Sequence, residues 1–100
     1  MKDEKNRKIS DFFSALSHPT RIEIVTELLR GEKCVNDMQK LTMLRQPNIS
    51  QHLFLLRSHK IVTWHQRGNR KCYCLINPQL IRSVLSALKK HNVADDGKKR

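Results

Sequence analysis

The chain has 100 residues, 38% of them hydrophobic, which is enough for one small domain with a modest core. A count of 20 Lys and Arg against 9 Asp and Glu gives a net charge of +11, which favours a polyanionic partner. The basic residues are spread along the chain and do not line one amphipathic helix, so nucleic acid is a better candidate than a membrane surface. No apolar run could span a bilayer and no signal peptide opens the chain, so we expect a cytoplasmic protein.

The N-terminal segment predicts an arm followed by a helix. Residues 1–8 are polar and charged, and we expect them to form a flexible basic arm. An amphipathic helix follows, with apolar side chains at Ile9, Phe12, Phe13 and Leu16. The adjacent Phe12 and Phe13 suggest contact with a second subunit, although ordinary core packing is the alternative.

The next segment predicts two helices joined through a short strand. Pro19 suits the first turn of a helix, and Gly31 is placed to end that helix in a left-handed conformation. Lys33 to Val35 form a short strand. Val35, Met38 and Leu41 then have the spacing of a third helix, and Thr42 to Leu44 form a turn.

The segment from Arg45 to Arg57 predicts a recognition helix. Its buried stripe consists of Ile49, Leu53 and Leu56. Four polar side chains near its start lie mainly off that stripe: Gln46, Asn48, Ser50 and Gln51. Amides on the wet face of a helix can hydrogen-bond to base edges in the DNA major groove. For an isolated helix, a simple polar surface is the commoner explanation, but the rest of the chain favours DNA binding.

The C-terminal third predicts a β-hairpin and a last helix. Strands at Ile61–His65 and Lys71–Ile76 flank a Gly-Asn turn. The hairpin tip carries Arg67, Arg70 and Lys71, which suit phosphate contacts, although a charged tip is often only solvated. After Asn77-Pro78, the last helix has an apolar stripe suited to a dimer interface: Leu80, Ile81, Val84, Leu85 and Leu88.

This order of elements predicts a mainly α fold with a β-hairpin wing, the winged helix-turn-helix. We assign residues 9–91 to this DNA-binding domain with its dimerisation helices, and residues 92–100 to a flexible charged tail.

The sequence resembles the ArsR/SmtB family of small dimeric winged-helix repressors, from about Phe12 to Leu88. The resemblance is carried by blocks in a fixed order and spacing: Ala15-Leu16-Ser17-His18-Pro19-Thr20-Arg21, Gly31-Glu32-Lys33-Cys34-Val35, Gln46-Pro47-Asn48-Ile49-Ser50-Gln51-His52-Leu53 and Leu56-Arg57. The resemblance implies a homodimer joined through its first and last helices. It also implies binding to an inverted-repeat operator, and release of the DNA when an inducer binds.

Two positions depart from the family pattern. Arg45 stands where the family usually has a Ser or Thr that caps the recognition helix, and arginine cannot accept the N–H bond of a cap. Lys60 stands where the family favours Gly, and a left-handed conformation there costs on the order of 1 kcal/mol. Neither departure conflicts with the fold.

The three cysteines are candidates for a sensor. Cys34 matches the first cysteine of the family's Cys-Val-Cys metal motif, but Asn36 replaces the second, and an amide is a poor ligand for thiophilic ions. The last helix has no Asp or Glu before His91, so the family's other zinc site is expected to be absent.

Cys72 and Cys74 share one face of a predicted strand, which is expected to pair with the strand that carries Cys34. Three alternatives follow: the three thiols bind a thiophilic metal ion, two of them form a switchable disulfide, or Cys34 is a small buried side chain and the others are incidental.

The sequence therefore predicts a transcriptional repressor that binds a double-stranded DNA operator as a homodimer. The side chains predicted to read bases are Gln46, Asn48, Ser50 and Gln51; those predicted to hold the backbone are Arg45, His52, Arg67, Arg70 and Lys71. The alternative is a winged-helix protein-interaction module without DNA readout. The chain has no catalytic triad order, no carboxylate pair in an apolar context and no phosphate-binding loop, so an enzyme is not expected.

Overall fold

The computed structural model describes residues 2–41, 48–91 and 93. Its elements, in chain order, are α1 (Lys2–Ala15), α2 (Pro19–Leu28), β1 (Lys33–Cys34), α3 (Val35–Leu41), α4 (Ile49–Ser58), β2 (Val62–Arg67), β3 (Arg70–Leu75) and α5 (Pro78–Lys90). This is the predicted order of a winged helix-turn-helix. None of the helices in these ranges is long and apolar enough to cross a membrane.

The first helix begins earlier than the sequence analysis predicts. Residues 2–8, expected to be a loose arm, form the first half of α1. Asp3 and Glu4 lie in its first turn, where carboxylates interact favourably with the positive end of the helix dipole. The apolar side chains of this helix begin only at Ile9, so hydrophobic periodicity gave no signal for the earlier turns.

Local contacts fix the starts of α2 and α5. His18 precedes Pro19, and its Nδ1 accepts a hydrogen bond of 3.0 Å from the backbone N–H of Thr20. Asn77 precedes Pro78, and its Oδ1 accepts a hydrogen bond of 3.1 Å from the backbone N–H of Leu80. Both helices thus begin with a proline in the first turn, as predicted, and each also has a side-chain cap that the sequence analysis did not predict.

Two residues with positive φ follow α2 and the recognition helix α4. Gly31 has a φ of 130° just after α2, and Lys60 has a φ of 61° just after α4. The left-handed conformation of Lys60 is therefore confirmed, and this side chain occupies a conformation that favours glycine.

The three strands form one antiparallel sheet in the order β1-β3-β2. Cys34 pairs with Cys72, and His65 pairs with Cys72 from the other side. Gly68, with a φ of 64°, and Asn69 form the two-residue turn between β2 and β3. The pairing of the short first strand with the last strand confirms the predicted wing topology.

The core lies between the helices and one face of this sheet. Tyr73 and Leu75 point into it from β3, and burial raises the pKa of Tyr73. The fully buried side chains from the helices include Ile24, Val25, Met38, Ile49, Leu53, Leu56 and Ile81. The core therefore holds α4 against α2 and the sheet, which fixes the direction of its opposite face.

Candidate nucleic-acid interface

The recognition helix α4 has one buried apolar face and one exposed polar face. Ile49, Leu53 and Leu56 are fully buried, which confirms the predicted stripe. Asn48, Ser50 and Gln51 are exposed at the N-terminal end of the helix. Asn48 makes no capping hydrogen bond with its side chain, so its amide remains available to a ligand. Arg45 and Gln46, predicted to contribute a phosphate contact and a base contact, lie outside the described residues.

His52 lies at the junction of α4 and α2. Its ring is half-buried, 4.6 Å from the ring of His18 between centroids, and its Nδ1 is 3.3 Å from Nη1 of Arg21. Arg21 also donates a hydrogen bond of 2.7 Å from Nε to the carbonyl oxygen of Ala15. Burial, together with the positive charges of His18 and Arg21, lowers the pKa of His52. His52 thus packs partly against α2 and helps to anchor α4, while its phosphate contact stays a prediction.

The two wing arginines are engaged by carboxylates. Arg67 donates hydrogen bonds from Nε and Nη2 to Glu32, and Arg70 Nη2 lies 3.3 Å from both carboxylate oxygens of Asp37. The hydrogen bond from Arg67 is the main cause that lowers the pKa of Glu32. Both guanidinium groups remain exposed, and surface ion pairs of this kind are weak. DNA phosphates can therefore compete with these carboxylates for the wing.

Lys71 contacts an aromatic ring and no carboxylate that would neutralise it within the described residues. Its Nζ lies 4.3 Å from the ring centroid of Trp64 in β2, and the guanidinium carbon of Arg57 lies 5.3 Å from the same ring. Cation–π contacts at exposed sites are weak and leave the charge intact. Trp64 therefore holds a basic pair, one from the end of α4 and one from the wing, at the junction of the two predicted DNA-contacting elements.

The cysteines lie on the sheet, and two of them are joined. Cys34 and Cys72 form a disulfide between β1 and β3, while Cys74 is free and half-buried. The predicted approach of Cys34 to Cys72 is thus confirmed. Across residues 2–41, 48–91 and 93, no group of three or more His, Cys, Asp or Glu side chains is arranged to hold a metal ion. The three-thiol metal site therefore has no support in this arrangement.

The residues predicted to form a dimer interface divide into two groups. Phe13, Leu80 and Leu88 are exposed, whereas Phe12 and Leu85 pack partly against the core, and Val84 is half-buried. The assignment of Ile81 to the dimer interface was wrong. Only 2% of its surface is exposed, because it points into the core of its own chain. A second subunit can cover the exposed members on α1 and α5, but it cannot reach Ile81.

The sequence analysis missed the partners of the predicted site residues. Glu32, Asp37 and Arg21 each contact a residue more than 30 positions away in the chain. Trp64 contacts Lys71 across the β2–β3 hairpin. The negative charge of Glu32 was visible in the Gly31–Val35 block, but its pairing with Arg67 of β2 depends on the registers of both strand pairs in the sheet. Such contacts require the tertiary fold, and no local pattern predicts them.

The protein is a winged helix-turn-helix protein. Its fold combines α2 and α3, the recognition helix α4 and the three-stranded sheet that forms the wing. The model of the family described as bacterial regulatory protein, arsR family, matches residues 18–63. The arsenical resistance operon repressor of Staphylococcus xylosus is 31% identical over 91 residues, which cover 91% of this chain and 86% of that protein. The chain therefore belongs to the ArsR family.

Two further comparisons define the extent of the likeness. The HTH-type transcriptional repressor SmtB of Mycobacterium tuberculosis is 33% identical over 78 residues, which cover 78% of this chain but only 58% of SmtB. The solution structure of a homodimeric winged helix-turn-helix DNA-binding domain from Mycobacterium bovis, 21% identical, superposes with a TM-score of 0.84. That likeness covers 98% of this chain and 94% of the other, and it shows the shared fold.

Proposed function

We propose that this protein is a transcriptional repressor that binds double-stranded operator DNA in a sequence-specific manner. The observation that carries the proposal is the exposed polar surface at the N-terminal end of α4, where Asn48, Ser50 and Gln51 lie off the buried stripe. That stripe consists of the fully buried Ile49, Leu53 and Leu56. A helix seated in this way can enter the major groove with its polar N-terminal side chains against base edges. The charge of +11 supports the same partner.

The repressor acts as a homodimer on an inverted repeat. Exposed apolar side chains on α1 and α5 support this assembly, because Phe13 alone leaves 58% of its surface in water. Two copies related by a twofold axis place two recognition helices on successive major grooves, roughly 34 Å apart. Its site of action is the cytoplasm, where this DNA is accessible.

Release from the operator is controlled by the thiols. Cys34 directly precedes α3, the first helix of the helix-turn-helix, and Cys72 lies in the wing. A disulfide between them ties these two units together, whereas the reduced thiols leave the wing free to adjust to the DNA backbone. The oxidant is a hydroperoxide: two thiols give one disulfide, and the peroxide is reduced to an alcohol and water.

Fluorescence anisotropy with DNA from upstream of the protein's own gene tests both parts. Selective binding by reduced protein, lost after peroxide treatment and restored by a dithiol, is the expected result. The variant Cys34→Ser should bind in both states, while Cys74→Ser, the matched control, should keep the response.

Selective binding that is unchanged by oxidation would keep the repressor and reject the thiol control. Absence of selective binding at this DNA and in a random-sequence selection would reject the repressor itself. That result would favour a winged-helix protein-interaction module.

A further inference from the structure

The exposed face of α4 also carries the phenyl ring of Phe54. Phe54 leaves 68% of its surface exposed, and it lies four residues after Ser50 and three after Gln51. Residues at these separations lie on one face of a helix, in successive turns. Phe54 is therefore the next side chain along the surface that begins with the exposed polar residues, and it faces away from the buried Leu53 and Leu56.

Phe54 is separate from the other large group of exposed apolar side chains. Ile9 and Phe13 on α1 and Leu80 and Leu88 on α5 lie on the surface assigned to the second subunit. Phe54 lies on the helix assigned to DNA, flanked on its own face by Ser50, Gln51 and Arg57. Leu55, 39% exposed, is the neighbouring apolar side chain on α4. The polar and basic residues beside Phe54 fit a nucleic-acid surface that also offers apolar groups.

In the major groove that apolar group is the methyl group of thymine. It distinguishes a T·A pair from the other pairs by shape and hydrophobicity and needs no hydrogen bond. We propose that Phe54 is a specificity-determining residue that contacts thymine methyl groups, next to the bases that Ser50 and Gln51 contact. This inference rests on the proposed function, because it requires α4 to enter the major groove.

If Phe54 contacts thymine methyl groups, the operator should contain thymine at the contacted position. Removing one methyl group at a time from the DNA tests this contact. A duplex selected from random DNA by the wild-type protein should contain thymine at a fixed position in each half-site. Replacing that thymine by deoxyuridine removes only the 5-methyl group and keeps the base pair. Binding by the wild-type protein should weaken about fourfold for each methyl group lost, as expected from the burial of one methyl-sized group.

The variants Phe54→Ala and Ile76→Ala complete the test. Both truncate an exposed apolar side chain, but Ile76 directly follows β3 and is not part of α4. Phe54→Ala should bind the thymine and deoxyuridine duplexes equally, and Ile76→Ala should discriminate like the wild type. Thermal unfolding of each variant confirms that the fold is intact, as expected for exposed positions.

Two results would overturn the inference while leaving the repressor intact. One is a wild-type protein that binds its selected duplex but is insensitive to deoxyuridine at every position. The other is Phe54→Ala with the same discrimination as the wild type. A wild-type protein that selects no duplex at all would overturn the proposed function together with this inference, so the two failures are distinguishable.

Discussion

The recognition helix and the wing present their polar groups in different states. On α4, Asn48, Ser50 and Gln51 are exposed, and the opposite face is anchored by fully buried apolar side chains. At the wing tip, Arg67 and Arg70 are exposed too, but each already donates hydrogen bonds to a carboxylate of its own chain. The polar side chains of α4 are therefore open to a ligand. The wing arginines would have to exchange a carboxylate for a phosphate in order to bind DNA.

Under the proposed function, this difference separates two contributions to DNA binding. A rigidly seated helix contributes selectivity, since its side chains approach base edges from a fixed direction. A wing whose charges are partly neutralised contributes less than its count of basic residues suggests, and its contribution depends on the strength of the competing ion pairs. Lys71 differs from the two arginines because it contacts the ring of Trp64.

The largest expected effect follows from removing a buried side chain that holds α4 against the core. Leu53→Ala empties a fully buried position, so we expect a loss of about 2–5 kcal/mol in the free energy of unfolding. Leu55→Ala is the matched control in the same helix, because Leu55 is 39% exposed and its truncation should cost roughly 0.5 kcal/mol or less. Urea denaturation measures both. Equal losses would contradict the assigned burial of α4.

A smaller effect on stability is expected from a substitution at Lys60, which follows α4 just before the first strand of the wing. Lys60 has a φ of 61°, so Lys60→Gly should relieve strain and raise the free energy of unfolding by about 1 kcal/mol. Lys60→Ala removes the same charge but keeps a Cβ atom, and it should give no such gain. Urea denaturation of the two variants separates conformation from charge. A similar gain from both would show that φ is not the cause.

Removing the Glu32 carboxylate tests whether it competes with DNA phosphates for Arg67. Glu32→Gln should free Arg67 and strengthen binding to random DNA by a few-fold at low salt, because a phosphate no longer displaces a charged partner. The control is Glu23→Gln on α2, which changes the net charge by the same amount. Anisotropy titrations at two salt concentrations give the comparison. An equal effect from the control would reduce the result to net charge alone.

The smallest expected effect concerns the anchor between α4 and α2. The pKa of His52 is lowered below its usual value of 6.5 by burial and by the positive charges of His18 and Arg21. As pH falls below about 6.5, the unfolded chain therefore binds the proton first, and stability decreases; above that range this contribution is constant. Melting temperatures at pH 7.5 and 5.5 should show a smaller pH-dependent decrease for His52→Gln than for the wild type.

His91→Gln, at the exposed end of α5, should keep the wild-type response to pH. A response of His52→Gln that equals the wild type would assign the pH dependence to another group.

Much of the fold follows from local patterns, and the exceptions have physical reasons. The stripe of Ile49, Leu53 and Leu56 was predicted from helical spacing and is fully buried. The helical turns at residues 2–8 were missed because they contain no apolar periodicity. Ile81 was assigned to the dimer because a wide stripe gives no indication of which side meets the chain's own core.

The electrostatic partners were the other omission. Arg67 and Arg70 were recognised as basic tip residues, but their carboxylates lie 35 and 33 residues earlier in the chain. Charge alone thus predicted the kind of ligand, while the tertiary fold determines which cations are already engaged.

In the proposed complex, α4 reads the base sequence and the wing contacts the DNA backbone. The most direct test measures the salt dependence of binding to operator and random DNA for Gln51→Ala and Lys71→Ala. Gln51→Ala should weaken operator binding by about 1–3 kcal/mol and leave random DNA and the salt slope nearly unchanged. Lys71→Ala should weaken both DNAs alike and reduce the slope by about one. Equal loss of selectivity from the two variants would contradict the account.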